Sequence, residues 1–245
     1  MIKEKNILVY GSNSDLSHEL LKKLAPNNNL FLISKNLDKL NENTDYFKKN
    51  SSYKIINYCT DLSDLGSSNQ ILDKYFSEFE SLDYVLFFQG YMNNETLNDN
   101  EIIKTININA LSTLLGINNV LNNADKFNKL KIIVISSVAG DRGKKSTLLY
   151  GSAKSLISTY LEGLIQKYSS SNVSIYDLKI GPTKTKMTKN LRQGFLYSNP
   201  ERVSSKIYEI IQKESSMITY IPFWWKYIMI VIKIIPNIIY HKIKL

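Results

Sequence analysis

The sequence has few of the residues from which disulfides and metal sites are built. Its 245 residues include one cysteine, Cys59, and two histidines, His18 and His241. One cysteine excludes an internal disulfide and a cysteine-built metal site, and two histidines argue against a histidine-rich site. We therefore expect no metal site. The lone thiol is compatible with a reducing compartment.

A cleavable leader and a flexible linker are also lacking. Residues 1–5 lead straight into a short apolar strand and a glycine, without the apolar segment and cleavage site of a signal peptide. No internal repeat and no stretch rich in proline and glycine divides the chain. These features predict a cytoplasmic protein with one domain over residues 1–222, followed by an apolar basic tail over residues 223–245.

Acidic residues are outnumbered, since 31 lysines and arginines face 22 aspartates and glutamates and give a net charge of +9. A basic surplus favours anionic partners such as nucleotides, phosphates or anionic lipid. A general solubility charge explains the same surplus equally well. No nucleic-acid-binding motif with interleaved aromatic residues occurs outside the tail, so we expect no nucleic-acid partner.

Short apolar segments alternate with segments of helical periodicity along the chain. The predicted strands cover residues 7–10, 30–33, 54–58, 84–88, 131–136, 173–178 and 217–221. The predicted helices cover residues 14–24, a segment from about 37, and residues 67–80, 98–122, 149–169 and 200–213. This alternation predicts an α/β fold, a doubly wound Rossmann-type parallel sheet of about seven strands with helices on both faces. We expect an amphipathic C-terminal tail to follow it.

The turn after the first predicted strand is a candidate phosphate-binding site. Ligands of doubly wound sheets bind beyond the carboxyl ends of the strands, and a helix N-terminus there attracts phosphate. The predicted cofactor-binding residues of this turn are Gly11, Ser12, Asn13, Ser14, Asp15 and Leu16. Taken alone, the turn is also compatible with a purely structural role, because only the first glycine of a dinucleotide fingerprint is present.

The end of the second predicted strand bears on the choice of cofactor. Enzymes that use NAD usually place an acid there for the ribose hydroxyls, whereas this strand ends in Ser34 and Lys35. Both side chains suit a 2′-phosphate, so the sequence favours NADP(H) over NAD, although Lys35 could be an ordinary loop lysine. Asp61, with Leu62 beside it, follows the third strand and suits the adenine amino group. A turn or helix cap is the alternative for Asp61.

Three further residues suggest a catalytic centre. Ser137 ends the fifth predicted strand, and Tyr150 and Lys154 follow four residues apart on the next helix, where they share a face. An ammonium near a phenol lowers the phenol's pKa, so that Tyr150 could pass a proton at neutral pH. Ser137 could hydrogen-bond the same substrate oxygen. A tyrosine–lysine pair alone is common, and its position beside a phosphate-binding turn gives it weight.

With these residues the chain resembles a short-chain dehydrogenase/reductase of the classical type over about residues 5–222. The resemblance implies that Ser137, Tyr150 and Lys154 are catalytic and that Tyr150 and Lys154 also contact the cofactor. It implies a supporting role for Asn109 in a proton relay, with Asn107 as the competing choice. It also implies cofactor contacts from Gly90 and from the segment after the sixth strand, namely Gly181, Thr183 and Thr185.

The tail combines apolar residues with basic charge. No acid follows Glu214, and Lys226, Lys233 and Pro236 interrupt the apolar run, so a membrane-spanning helix is not expected. A helix lying in an anionic membrane surface is expected instead, at the inner face of the membrane. The alternatives are a tail that packs into the core or one that forms a homo-oligomer interface.

The segment from residue 200 onward also resembles membrane-associated reductases of polyprenyl-phosphate-linked ketosugars. That likeness implies a small-molecule or lipid-linked sugar substrate from cell-envelope glycan synthesis. The predicted substrate loop, residues 186–199, contains Arg192, Phe195 and Tyr197, which suit a phosphate-bearing sugar. The competing hypotheses are a reductase of an acyl or other apolar carbonyl substrate, whose pocket wall the tail would form, and a non-catalytic membrane-surface protein that binds dinucleotide.

Overall fold

Seven parallel strands form the centre of the fold in a computed structural model, which describes residues 2, 4–93 and 97–242. The strands are β1 (Asn6–Tyr10), β2 (Asn29–Ser34), β3 (Ile55–Cys59), β4 (Tyr84–Phe87), β5 (Leu130–Ser137), β6 (Val173–Ile180) and β7 (Met217–Ile221). Their order in the sheet is β3-β2-β1-β4-β5-β6-β7. The order in which successive strands are added reverses between β1 and β4. This reversal places a topological switch point, and hence a binding crevice, at the carboxyl ends of these two strands.

Nine α-helices connect and cover the strands in the described part of the chain. They are α1 (Asp15–Leu24), α2 (Leu37–Lys49), α3 (Ser67–Phe76), α4 (Asp99–Ile106), α5 (Ser112–Leu121), α6 (Leu148–Lys167), α7 (Pro200–Ile210), α8 (Trp225–Ile234) and α9 (Asn237–Tyr240). A π-helical turn, Asn107–Leu111, joins α4 to α5. Helices on both sheet faces explain why the strands are continuously apolar rather than alternating.

Each face of the sheet has its own hydrophobic core. On one face, α3, α5 and α6 contribute residues such as Tyr75, Ile117 and Ile157. On the other face, α1, α2 and α7 contribute residues such as Leu20 and Ile207. The predicted doubly wound sheet of seven strands is therefore confirmed.

Several boundaries differ from the prediction. The predicted helix over residues 98–122 is interrupted by the π-helical turn, and the helix predicted over residues 67–80 ends at Phe76. Strand β6 continues two residues beyond the predicted end, to Ile180. Tertiary packing sets these boundaries, because β6 remains paired with β5 and β7 up to that residue.

The tail lies against the carboxyl edge of the sheet. The side chains of Trp225 and Met229 on α8 are buried and pack on Val138, which follows β5. Within residues 2, 4–93 and 97–242, no helix has the length and apolarity that a membrane crossing requires. Residues 243–245, with Lys244 among them, lie outside the described residues. The predicted boundary at residue 222 thus separates two segments that are packed together.

Candidate active site

The predicted catalytic residues come from two neighbouring elements. Ser137 is the last residue of β5, and its hydroxyl donates to the carbonyl of Ile180 at 3.3 Å. Tyr150 and Lys154 lie in the first two turns of α6, with the lysine Nζ 5.7 Å from the centroid of the tyrosine ring. All three side chains line one cavity at the carboxyl edge of the sheet. The sequence prediction that they converge therefore agrees with the structure.

Lys154 is almost completely buried, with an exposed fraction of 3%. Its Nζ donates a hydrogen bond to the carbonyl oxygen of Ile135 at 3.0 Å. Burial lowers the pKa of Lys154 to about 8, and the negative charge of Asp177 acts in the opposite direction. Its ammonium form is therefore present at neutral pH and lost under mildly alkaline conditions.

Tyr150 shows the opposite of the expected shift. Enclosure by protein raises the pKa of Tyr150 to about 12, while a hydrogen bond with Ser137 lowers it. The expected lowering by Lys154 is not met, because burial is the dominant cause of the shift and the ammonium donates its hydrogen bond to the carbonyl of Ile135. At neutral pH the phenol is fully protonated, which suits a proton donor.

Asn109 lies behind the cavity rather than in its wall. Its side chain is fully buried, accepts from the backbone N–H of Tyr91 at 3.0 Å, and donates to the carbonyls of Tyr91 and Thr105. Its amide holds the segment after β4 in place, and its supporting role in a proton relay stays a prediction. The competing residue, Asn107, donates to the carbonyl of Ser63.

Gly11 shapes the candidate phosphate-binding turn. Its φ of +71° is in the left-handed region, and a Cβ added there would lie 2.5 Å from the backbone nitrogen of Gln89. The next residue, Ser12, is buried, and its hydroxyl donates to the carbonyl of Ile33. Ser12 does not line the cavity, so its predicted cofactor contact is corrected to a structural role.

The remaining residues of the turn face the cavity at the N-terminus of α1. Ser14 is the N-cap of that helix and accepts from the backbone N–H of Ser17 at 3.1 Å. The carboxylate of Asp15 accepts from the backbone N–H of Lys186 at 2.7 Å, so it ties the substrate loop to the turn. The predicted contacts Asn13 and Leu16 line the same space. Free backbone N–H groups at such a helix end can bind phosphate.

Three lysines surround this turn, of which the sequence analysis identified one. Ser34 and Lys35 line the cavity as expected, and Lys39 and Lys186 join them. The Nζ of Lys39 donates to the carbonyl of Asn13. Burial, together with the charge of Lys186, lowers the pKa of Lys39. Lys39 was missed because it lies in the first turn of α2 rather than at the strand end.

Asp61 and Leu62 also line the cavity, at the end of β3. The carboxylate of Asp61 accepts from the backbone N–H and the hydroxyl of Ser63. Burial alone would raise the pKa of Asp61, but these hydrogen bonds with Ser63 lower it. One oxygen of Asp61 therefore caps the turn, as the alternative interpretation expected. The residue also lines the cavity.

The segment after β6 completes the predicted set. Gly181, Thr183 and Thr185 line the cavity, as does Gly90 after β4. Thr185 caps the short helical turn Lys186–Thr188. A Cβ at Gly181 would lie 2.1 Å from the indole nitrogen of Trp225, so this glycine is required for the tail to pack.

The inner face of α8 forms one wall of the cavity beyond Ser137. Its lining side chains are Trp225, Ile228, Met229 and Ile232. Arg142, five residues after Ser137, anchors the end of this helix. Its guanidinium donates to the carbonyls of Ile232 and Ile235 and to the side-chain oxygen of Asn237, and it stacks on the ring of Tyr240 at 3.8 Å. No local sequence pattern indicates this contact.

The whole cavity has a volume of about 1160 Å³. That is above the usual upper range of about 1,000 Å³ for a single small-molecule pocket, so a dinucleotide and a second ligand fit together. Lys144 and Arg192 also line this cavity. Neither forms an ion pair within the part of the chain that the structure describes.

A comparison with protein families matches residues 5–195, more than three quarters of the chain, to the model described as short chain dehydrogenase. A relative in Mycobacterium tuberculosis, an uncharacterized oxidoreductase, is 19% identical over 242 residues, which cover 96% of each chain.

Solved structures share the fold. A short chain dehydrogenase of Shigella flexneri complexed with NADP has a TM-score of 0.80 and 16% identity, with 89% of this chain and 97% of that chain covered. An alcohol dehydrogenase of the archaeon Thermococcus sibiricus complexed with 5-hydroxy-NADP has a TM-score of 0.78 and 16% identity, with 89% and 96% covered.

Proposed function

Since this chain belongs to the short chain dehydrogenase family, we propose that it is an NADP(H)-dependent oxidoreductase that interconverts a keto group and a secondary alcohol. The observation that carries the proposal is the shared cavity. Ser137, Tyr150 and Lys154 lie at its centre, a phosphate-binding turn lies at one end, and an apolar helix closes the other.

The cofactor end fits NADP(H) in shape and charge. The N-terminus of α1 offers backbone N–H groups to a diphosphate, and Lys35, Lys39 and Lys186 offer cations for a 2′-phosphate. Within the described residues, Asp15 and Asp61 are the acids that line this end, and both carboxylates already accept hydrogen bonds from protein groups. The structures of the same fold from Shigella flexneri and Thermococcus sibiricus, which are complexes with NADP and 5-hydroxy-NADP, support this choice.

Three side chains would then perform the protein's part of the chemistry. When bound, the nicotinamide supplies or accepts the hydride. Ser137 donates a hydrogen bond to the substrate oxygen, and Tyr150 transfers its phenolic proton to that oxygen. Lys154 stabilises the developing phenolate through its positive charge. The protonated state of Tyr150 at neutral pH favours the direction of reduction.

The substrate end suits a sugar or a lipid-linked sugar of cell-envelope glycan synthesis. Lys144 and Arg192 could bind an anionic group, and the α8 wall could bind an apolar chain. A ligand with both features would use both sides of this part of the cavity.

The outer face of α8 and α9 supports a peripheral position on an anionic membrane at its inner, cytoplasmic face. Large apolar side chains project from it, namely Phe223, Trp224, Tyr227, Ile230, Val231, Ile234, Ile238 and Ile239, which are 42–78% exposed. The charged residues on this segment are all basic. Apolar burial combined with attraction to anionic lipid binds such helices to membrane surfaces.

A reductase of an acyl or other apolar carbonyl compound is the second candidate. The apolar wall formed by Trp225, Met229 and Ile232 favours it, because that wall would accommodate an uncharged chain equally well. The anionic group separates the two candidates, since Lys144 and Arg192 would have no partner in an acyl substrate. A protein that binds dinucleotide at the membrane without catalysis is the remaining alternative.

A fluorescence titration with NADPH and NADH, followed by turnover with ketosugars and apolar ketones, tests the function. We expect tighter NADPH binding and reduction of a carbonyl substrate. Equal affinity for both cofactors would contradict the cofactor assignment, and cofactor binding without turnover of any carbonyl would favour the non-catalytic alternative.

Co-sedimentation with anionic and neutral vesicles tests the membrane surface. Val231→Glu should abolish sedimentation with anionic vesicles, whereas Ile103→Glu should not, although both side chains are 57% exposed. Equal sedimentation of the two variants would argue against α8 as the membrane contact.

A further inference from the structure

A buried carboxylate lies in the sheet beneath the catalytic lysine. Asp177 is in the middle of β6 and has an exposed fraction of 0%. One of its oxygens accepts a hydrogen bond from the hydroxyl of Ser136 on β5. The other oxygen has no hydrogen-bond partner that meets ordinary geometry. A carboxylate in such a position is costly unless a cation compensates it.

Lys154 is a buried cation on the helix that covers this part of the sheet. Its Nζ donates to the carbonyl of Ile135, and no carboxylate within the described residues is hydrogen-bonded to it. On β6, Asp177 lies two residues after Ile175, which packs with Ala153 and Ile157 of α6 in one core. Because side chains alternate along a strand, the side chain of Asp177 lies on the sheet face that α6 covers.

The other buried amine near Asp177 already has a counter-ion. Lys179 forms an ion pair with Asp141 at 2.5 Å, and the side chain of Asp141 is 1% exposed. The hydroxyl of Tyr220 donates to the same carboxylate at 2.6 Å, and Lys233 lies 3.9 Å from it. The charged and titratable groups that face Asp177 and Lys154 are thus Tyr150 on α6, Lys179 on β6, Asp141 after β5, Tyr220 on β7 and Lys233 on α8.

We propose that Asp177 is the internal counter-ion of Lys154, a positioning residue that keeps the catalytic lysine in its ammonium form. The proposal rests on the proposed function, in which Lys154 stabilises the phenolate of Tyr150. The pKa shift of Lys154 agrees with it. Burial lowers the pKa of Lys154, and Asp177 raises it. Burial raises the pKa of Asp177, while Ser136 and the charge of Lys179 lower it.

Direct titration of Lys154 tests the proposal without a substrate. Lysine labelled with ¹³C at Cε gives one NMR signal for each residue, and Lys154→Arg identifies the signal of residue 154. In Asp177→Asn the pKa of Lys154 should fall by at least about one unit, the lower end of the effect of a nearby opposite charge. An unchanged titration of Lys154 would overturn the proposal.

Two controls separate the charge of Asp177 from its packing. Ser136→Ala removes the hydrogen bond but keeps the carboxylate, and Asp141→Asn removes the other buried carboxylate. Both should shift the titration of Lys154 by less than half the shift in Asp177→Asn. A shift of equal size in Asp141→Asn would mean that general charge, rather than Asp177, sets the protonation of Lys154.

A measurement on the unmodified protein keeps the proposal testable if Asp177→Asn does not fold. The ¹³Cγ signal of Asp177 should report a carboxylate at pH 7, and a protonated carboxyl there would overturn the proposal. Neither NMR measurement requires turnover. The result for Asp177 and Lys154 can therefore be interpreted even if the proposed function is wrong. Where a substrate is available, the alkaline limb of turnover should move to lower pH by the same amount as the pKa of Lys154.

Discussion

The cofactor end and the substrate end of the cavity are built in different ways. At the cofactor end, the turns that directly follow β1, β2 and β3 supply the lining, and their polar residues are close to the strands in sequence. At the substrate end, Arg142, Leu196 and Trp225 come from three distant segments. The first end depends on local geometry at strand termini. The second depends on how segments that are far apart in the sequence pack together, including the tail after β7.

This difference suggests that the two ends can be altered separately. The cofactor end is bound to α1 and α2 by hydrogen bonds of the turn itself. The substrate end is fixed mainly by Arg142 and by packing on Val138. Apart from the contact between Asp15 and Lys186, which links the turn to the substrate loop, substitutions at one end should therefore leave binding at the other end largely unchanged.

Tyr150→Phe should produce the largest effect, because Tyr150 lies between the two ends and is the proposed proton donor. We expect turnover to fall about 10²- to 10⁴-fold, the range for loss of a general acid, while NADPH still binds. Tyr160→Phe, on the same helix, is the matched control. Steady-state kinetics and a cofactor titration provide the measurements, and full activity of Tyr150→Phe would mean that another group donates the proton.

The pH dependence of turnover tests the role of Lys154. Lys154 is charged below its pKa of about 8 and loses its proton above it, whereas Tyr150, with a pKa of about 12, stays protonated. Reduction should therefore decline above pH 8 by about tenfold for each pH unit. A rate of reduction that stays constant up to pH 10 would exclude Lys154 as the group whose loss of a proton limits turnover.

Lys35→Ala and Lys39→Ala test the cofactor end. Loss of one charge-assisted hydrogen bond costs about 1.5–3 kcal/mol, so each should weaken NADPH binding by about tenfold or more and leave NADH binding almost unchanged. Lys48→Ala, at the far end of α2, is the control. The assignment of the 2′-phosphate site to these lysines fails if NADH affinity falls equally.

Arg142→Ala tests the substrate end and should have the smallest effect. Without the guanidinium, the end of α8 loses its contacts with Ile235 and Asn237. We expect KM for the carbonyl substrate to rise about fivefold, equivalent to roughly 1 kcal/mol, with NADPH affinity unchanged. Arg202→Ala on α7 is the control. A parallel loss of NADPH affinity would show that the two ends are coupled.

Local signals made much of the fold and the arrangement of the candidate catalytic residues predictable. The apolar strands, Gly11 after β1, and the spacing from Ser137 to Tyr150 and Lys154 are all encoded in short segments. Their positions relative to the sheet follow from the rules of parallel α/β folds.

Features that depend on distant contacts were not predictable in the same way. Asn109 and Ser12 are of the expected residue types, but their side chains are hydrogen-bonded to backbone groups of the protein. The periodicity of α8 could not indicate which face packs inward, because the segment is apolar on most sides. The contact of Arg142 with the end of α8 joins residues that are some ninety positions apart in the sequence, and no local pattern indicates it.

The contact between Gly181 and Trp225 makes these two positions interdependent in evolution. Any side chain at position 181 would overlap the indole, so a change there is tolerated only after residue 225 has become smaller. We expect Gly181→Ala to be destabilising alone and much less so together with Trp225→Ala, an epistatic pair that a double-mutant cycle of unfolding free energies would measure. Additive effects of the two substitutions would show that the positions vary independently.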